Sequence, residues 1–186
     1  TFRNFQLTDG TAKDYLGFGA DVRNLPSSFP AHLGEHSTDE AAAFTRQINQ
    51  RWGINKFTAI PDQKISLTSH RSYDVGGWKI GNITNLNWST EFDYSETVNN
   101  NYIAYDVKND VSRPRFEYND IRYKNTSKLG ALFNWSFQRD GSKYELRNFF
   151  SQRGVSALTQ REGMNYYSDK DIRKWESLYT GRTTYS

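Results

Sequence analysis

The residues whose types and spacing could carry chemistry are few. His32-Leu33-Gly34-Glu35-His36 matches H-x-x-E-H, in which one helical face presents two zinc ligands and a general base. That chemistry requires a helix running through both histidines. Pro30 precedes the motif, Gly34 lies inside it, and a capping signal at Ser37 starts a helix after His36. The spacing therefore reads as a loop coincidence. Asp106 with Asp110, and Asp169 with Asp171, offer partial sets of hard-cation oxygens, but neither spacing completes a calcium loop. Gly17-Phe18-Gly19 lacks the third glycine and the flanking strand and helix of a nucleotide loop. Asn82, Asn87, Asn125 and Asn134 each begin an N-x-S/T triplet, three of them inside expected strands, where Asn, Ser and Thr fill polar faces. His70 falls in a strand and receives no role. No Ser-His-Asp order or poised carboxylate pair stands out, so no enzyme and no cofactor are expected.

Composition narrows the classes further. The 186 residues contain no cysteine, which removes disulfides, thiolate metal sites and thiol nucleophiles. The formal charge is only +3, with basic residues scattered among acids, which argues against nucleic acid as a partner. Only 35% of residues are apolar and the mean hydropathy is −0.86, yet aromatics reach 16%. Disordered chains are poor in aromatics. Strands with one apolar and one strongly polar face reconcile these values. No run reaches the ~18 apolar residues of a membrane helix, but a transmembrane strand needs only ~9–11 with alternate ones apolar.

The periodicity supplies those strands. Over 78–95 the even positions are mostly apolar or aromatic (Trp78, Ile80, Leu86, Trp88, Phe92, Tyr94), whereas Ile83 is the one apolar odd position. Residues 127–139 repeat the rule with Leu129, Ala131, Phe133, Trp135 and Phe137 on one side. Residues 143–153 do so with Tyr144, Leu146 and Phe150, and Phe149 breaks the pattern. A shorter strand is expected at 64–73. Residues 1–6 read as the end of a strand, with Phe2 and Gln6 bracketing Asn4. Ser37 and Glu40 form a capping box for a helix over about 38–52, with Ala41, Phe44, Ile48 and Trp52 on one face and Gly53 as its C-terminal cap. Asp74-Val75-Gly76-Gly77 and Asp140-Gly141-Ser142 read as tight turns, while 96–124 and about 159–175 read as long polar loops.

Short connections on one side and long ones on the other are the habit of outer-membrane barrels. The expected fold is thus all-β: part of a transmembrane antiparallel up-and-down barrel with one short helix in an extracellular loop. Residues 1–186 belong to that single domain, with 7–63 as a long extracellular loop and 64–186 as barrel hairpins. Trp78 at one strand end, and Phe92 and Tyr94 at the other, with Trp135 and Phe137, are the expected aromatics of the membrane interfaces.

Particular residues also resemble a family. Thr1 to Gln6, then Asp14 to Pro30 (DYLGFGADVRNLPSSFP), then a helical insertion ending in Trp52-Gly53, are similar to the first extracellular loop of TonB-dependent outer-membrane transporters. The closest likeness is to the branch with a carboxypeptidase-regulatory-like domain before its plug. Ile65-Ser66-Leu67 and Asp74 to Gly81 resemble that branch's second strand, first periplasmic turn and third strand. Leu158 to Gly163 and Ile172 to Gly181 resemble the end of the fifth strand and the entry to the sixth. The resemblance implies a fragment, covering about strands 1–6, of a transporter in the Gram-negative outer membrane. It implies uptake of a scarce ligand with energy from TonB, through a plug outside this chain. Its implied partners are outer-membrane lipid, TonB and a surface lipoprotein lid. A secreted β-sandwich that binds carbohydrate, and a passive porin or adhesion barrel, are the alternatives.

Overall fold

A computed structural model describes residues 4–8, 10–20, 23–48 and 53–186. The fold is dominated by antiparallel β-structure. Five long strands form one sheet in chain order: β3 (Gln63–Val75), β4 (Trp78–Asp106), β5 (Val111–Arg139), β6 (Ser142–Asn165) and β7 (Lys170–Tyr185). The sheet is open, since β3 and β7 lie at its two ends. A separate two-stranded sheet pairs β1 (Phe5–Thr8) with β2 (Ile54–Phe57), and among the described residues one α-helix, α1, spans Thr38–Gln47.

The tight turns form where glycine permits them. Gly76 and Gly77 have φ of 57° and 82°, and Asp140 and Gly141 have 48° and 80°. Two consecutive left-handed residues match the strands' own twist and close two-residue hairpins. The far end differs from the sequence expectation. Residues 96–124 are not a loop: β4 and β5 continue through them to a four-residue turn at 107–110. Likewise 159–175 is mostly the β6–β7 ladder around a turn at 166–169. Both faces are polar there, so the alternation fades, but Thr97, Val98, Tyr102, Ile103 and Tyr105 keep strand propensity and the backbone ladder carries the pairing. A bulge between Asn101 and Ala104 absorbs Pro114, which has no N–H to give the ladder.

The N-terminal strand is also placed differently. It is not the first strand of the large sheet but lies, with β2, against that sheet's aromatic face. Phe5 is fully buried, with ring centroids 5.6, 5.4 and 5.2 Å from those of Phe57, Phe92 and Tyr123, and Leu158 and Ala59 complete the cluster. Hydrogen bonds fix the register: Gln6 donates to the Tyr123 hydroxyl at 3.2 Å, and Thr8 meets Ser177 at 2.7 Å. Next, a 3-10 turn at Ala12–Leu16 ends on Gly17, at φ 83°. Its backbone descends onto Gly154, where an added Cβ would stand 2.6 Å from the Gly17 Cα. Only a residue without a side chain admits that approach.

Helix α1 begins where its capping box requires, with Ser37 and Glu40 exchanging hydrogen bonds. It ends at Gln47, with Ile48 extended, rather than running to Gly53. Phe2 and Trp52 lie outside the described residues.

Gly154→Val is expected to lift the 14–20 loop off the sheet. The Gly19 amide, which donates to the Tyr179 hydroxyl at 2.7 Å, should then lose its hydrogen-exchange protection. Gly53→Ala, with nothing within 4 Å of the new Cβ, should leave that protection intact. Phe5→Ala should destabilise the docked segment by about 3–5 kcal/mol in denaturant titrations. Unchanged exchange at Gly19 in Gly154→Val would refute this account of the docking.

Candidate functional site

The large sheet presents two chemically different faces, and cross-strand register assigns every residue to one of them. Near the tight turns, the aromatic face carries Ile65, Leu67, Tyr73 and Val75 from β3. Trp78, Ile80, Leu86 and Trp88 come from β4. Leu129, Phe133, Trp135 and Phe137 follow from β5, and Tyr144, Leu146 and Phe150 from β6. Many of these stand open: Leu67 is 65% exposed, Leu146 56% and Phe133 43%. A contiguous apolar surface of this kind calls for a cover or a non-aqueous surrounding.

Polar groups within this belt are largely turned inward to the backbone. The Asn82 amide donates to the carbonyl of Asn134 at 3.2 Å, and the Asn148 amide to that of Phe133 at 3.1 Å. Arg71, on the end strand β3, is the formal charge inside the belt and hydrogen-bonds the Tyr73 hydroxyl. At the turn rim, the Arg139 guanidinium lies 5.7 Å over the Trp78 ring. Trp78 also packs against Tyr144 at 6.3 Å, and Trp135 stacks on Phe137 at 6.3 Å.

The belt has a definite upper limit. Above Trp88 and Leu129 the same face changes to Thr90, Asn125, Ser127, Gln152 and Ser156, all buried beneath the N-terminal segment. Asn125 donates to the Thr90 hydroxyl at 3.1 Å, Gln152 to the Gly17 carbonyl at 2.5 Å, and Trp88 to the Tyr15 carbonyl at 2.6 Å. Phe92, expected at a membrane interface, is only 6% exposed and belongs to the Phe5 cluster. The docked β1–β2 pair covers it. Tyr94, also expected there, lies 5.3 Å from Tyr123 and gives its hydroxyl to Glu96, whose carboxylate pushes the phenol up to about 12. Trp78, Trp135 and Phe137 lie together near the tight turns, on the exposed part of the face.

The opposite face is wet and charged. In the rows behind the belt it carries Lys64, Thr68, His70, Asp74, Lys79, Asn85, Asn87, Asn134, Lys143, Glu145 and Arg147. A shallow depression of about 520 Å³ opens on it beside His70, Gly81, Ser136, Lys143 and Arg147. Ile83, Leu132 and Phe149 are its apolar residues in these rows. Farther out, Arg161 grips Asp120 through two hydrogen bonds of 2.7 and 2.6 Å, and lies 4.8 Å over the Tyr118 ring. Those bonds outweigh the effect of burial and hold the Asp120 carboxyl below its ordinary value of 3.8.

The remaining motifs have structural roles. His32 and His36 flank a short 3-10 turn outside α1, so no single helical face presents both. His36 instead stacks edge-on against Phe44 and sits 3.8 Å from Glu40. Among the described residues no group of three ligating side chains could hold a metal. Asp106 accepts from the Lys108 and Asn109 amides and from the Asn109 side chain, which closes its own turn and lowers its pKa. All four N-x-S/T asparagines lie within strands. Comparison with protein-family models, curated proteins and solved structures finds no match for this chain.

The Asp120–Arg161 pair contributes stability that is present above the ordinary carboxyl value and lost as pH falls through the lower folded value. Asp120→Asn should therefore cost about 1–2 kcal/mol at neutral pH, allowing for partial exposure. In thermal unfolding followed against pH, the gap to the parent should close as pH drops below 4. A gap that persists undiminished into strong acid would remove the ion pair as its cause.

Proposed function

We propose that this chain forms part of the wall of a transmembrane antiparallel barrel in the outer membrane of a Gram-negative cell. The aromatic face near the tight turns meets lipid, and the polar face lines a wet interior. The single observation that carries the reading is the exposed apolar belt. It runs from Trp78 to Trp88 on β4, the ~9–11 residues that a tilted strand needs to cross the hydrocarbon. At one rim stand the tight turns with Trp78 and Arg139, an aromatic and a cation suited to headgroups. At the other rim the face becomes polar and is sheathed by the chain's own N-terminal segment. The covered part of the face and the long hairpins beyond it would then stand outside the membrane.

The open sheet agrees with a wall and not with a finished barrel. Unpaired edges are intolerable in hydrocarbon, so further strands must continue both β3 and β7. Transport enters through the resemblance to TonB-dependent transporters. On that reading the whole protein takes up a scarce ligand, with energy passed from TonB through a plug, and the outward hairpins admit ligand or seat a lipoprotein lid.

Leu86→Arg should impair membrane insertion by about 2–4 kcal/mol, whereas Asn85→Arg, its neighbour on the opposite face, should be tolerated. Heat-modifiable gel mobility and the folded yield in detergent read the difference, and equal effects would sink the assignment of faces. The intact native polypeptide should be extracted from the outer-membrane fraction with detergent, at a mass several-fold above 21.6 kDa. A 21.6 kDa species that is soluble without detergent would end the barrel reading and favour the carbohydrate-binding sandwich.

A further inference from the structure

Several cations on the polar face have an acidic companion. Arg161 holds Asp120, Lys124 reaches Asp93 at 2.7 Å, and Lys143 and Arg147 share Glu145. One row instead sets cations against one another. Lys128 on β5 is the register partner of Arg153 on β6, which is in turn the partner of Arg182 on β7. Partners in an antiparallel ladder share a face, so three cations stand side by side across the sheet. The faces are fixed independently, because the adjacent Gln152 and Thr183 side chains bond one another on the aromatic side. Lys128 lies 3.4 Å from Glu91. Arg153 and Arg182 have no ion pair and no side-chain hydrogen bond among the described residues, and both are exposed.

Like charges set directly opposite one another destabilise a sheet pair unless a counter-charge joins them. The neighbouring positions on β6 and β7 supply none: Ser151 with Thr184 lies on one side, and Val155 with Thr180 on the other, while Glu91, farther along that second row on β4, is engaged by Lys128. They do supply hydroxyls beside the two guanidiniums. A guanidinium offers a planar fork of parallel N–H donors. A carboxylate has two oxygens and fills one fork, whereas a tetrahedral oxyanion has enough to accept from both forks and from a hydroxyl. We propose that Arg153 and Arg182, flanked by Thr180 and Thr184, form a binding site for a phosphate or sulfate group on the polar face. The pair is defined by register within one sheet; on the barrel reading the site also rests on the strand beyond β7 placing no carboxylate beside Arg182.

The test is titration calorimetry of the intact protein with inorganic phosphate and inorganic sulfate at low ionic strength. Saturable binding is expected. Arg153→Gln and Arg182→Gln should each weaken it about tenfold, the worth of one charge-assisted fork, and the double variant should abolish it. Arg173→Gln, on the aromatic face, should leave it unchanged. Arg182→Glu guards against loss of folding. It should raise the ligand-free melting temperature by pairing with Arg153, yet still eliminate phosphate binding. Methyl phosphate distinguishes the source: binding equal to phosphate assigns the site to an esterified ligand, and exclusion assigns it to the free ion. Absence of saturable binding by the folded parent, or equal weakening by Arg173→Gln, would overturn the proposal.

Discussion

Burial of the Phe5 ring among Phe57, Phe92, Tyr123 and Leu158 is the contact around which the N-terminal third of the chain is arranged. It joins β1 to β2 and both to the middle of β4, β5 and β6. Without it, the polar layer of Thr90, Asn125, Ser127, Gln152 and Ser156 would lose its lid. Those groups can be buried because their hydrogen bonds run to one another and to the docked backbone, which offsets the cost of removing them from water. The Gly17–Gly154 approach sets the distance, and the Phe5 cluster supplies the hydrophobic area that holds it.

That docking also gives the aromatic face two zones along one set of strands. Below Trp88 the face is apolar and open; above it, the face is mixed and sealed by protein. A soluble sandwich would cover the whole apolar zone with a second sheet, whereas the two short strands present cover only the upper part. The belt's position between tight turns and a protein-covered layer is the feature on which the proposed contact with lipid rests.

The sheet's lower half was legible in the sequence because its two faces differ. Trp78 to Trp88 and Leu129 to Phe137 alternate against Lys79, Asn85, Lys128 and Asn134, and the register places them as that alternation requires. The capping box of Ser37 and Glu40 was equally readable, being local chemistry within one turn. The hairpin extensions were not, because Val98 to Tyr105 and Val111 to Arg113 are largely exposed on both faces and leave no period to detect. Phe92 shows a second limit. Its place on the aromatic face follows from alternation, but its burial depends on Phe5, far away in sequence, and periodicity carries no information about such a partner. The Arg153–Arg182 pair was hidden for a related reason: it exists only once β6 and β7 are in register.

The order of the strands has a kinetic side. Each neighbour in the large sheet is joined by a short turn, so every hairpin can zip from its own turn with little loop entropy to overcome. Residues 5–20 are different. Their partners on the large sheet run from Trp88 and Phe92 on β4 through Tyr123, Gln152 and Leu158 to Ser177 and Tyr179 on β7. A ribosome delivers the N-terminal segment first, yet its docking surface is incomplete until β7 has emerged. The Phe5 cluster can therefore close once Leu158 on β6 is made, whereas the hydrogen bonds of Thr8 to Ser177 and of Gly19 to Tyr179 must wait for β7, so the segment settles in two stages.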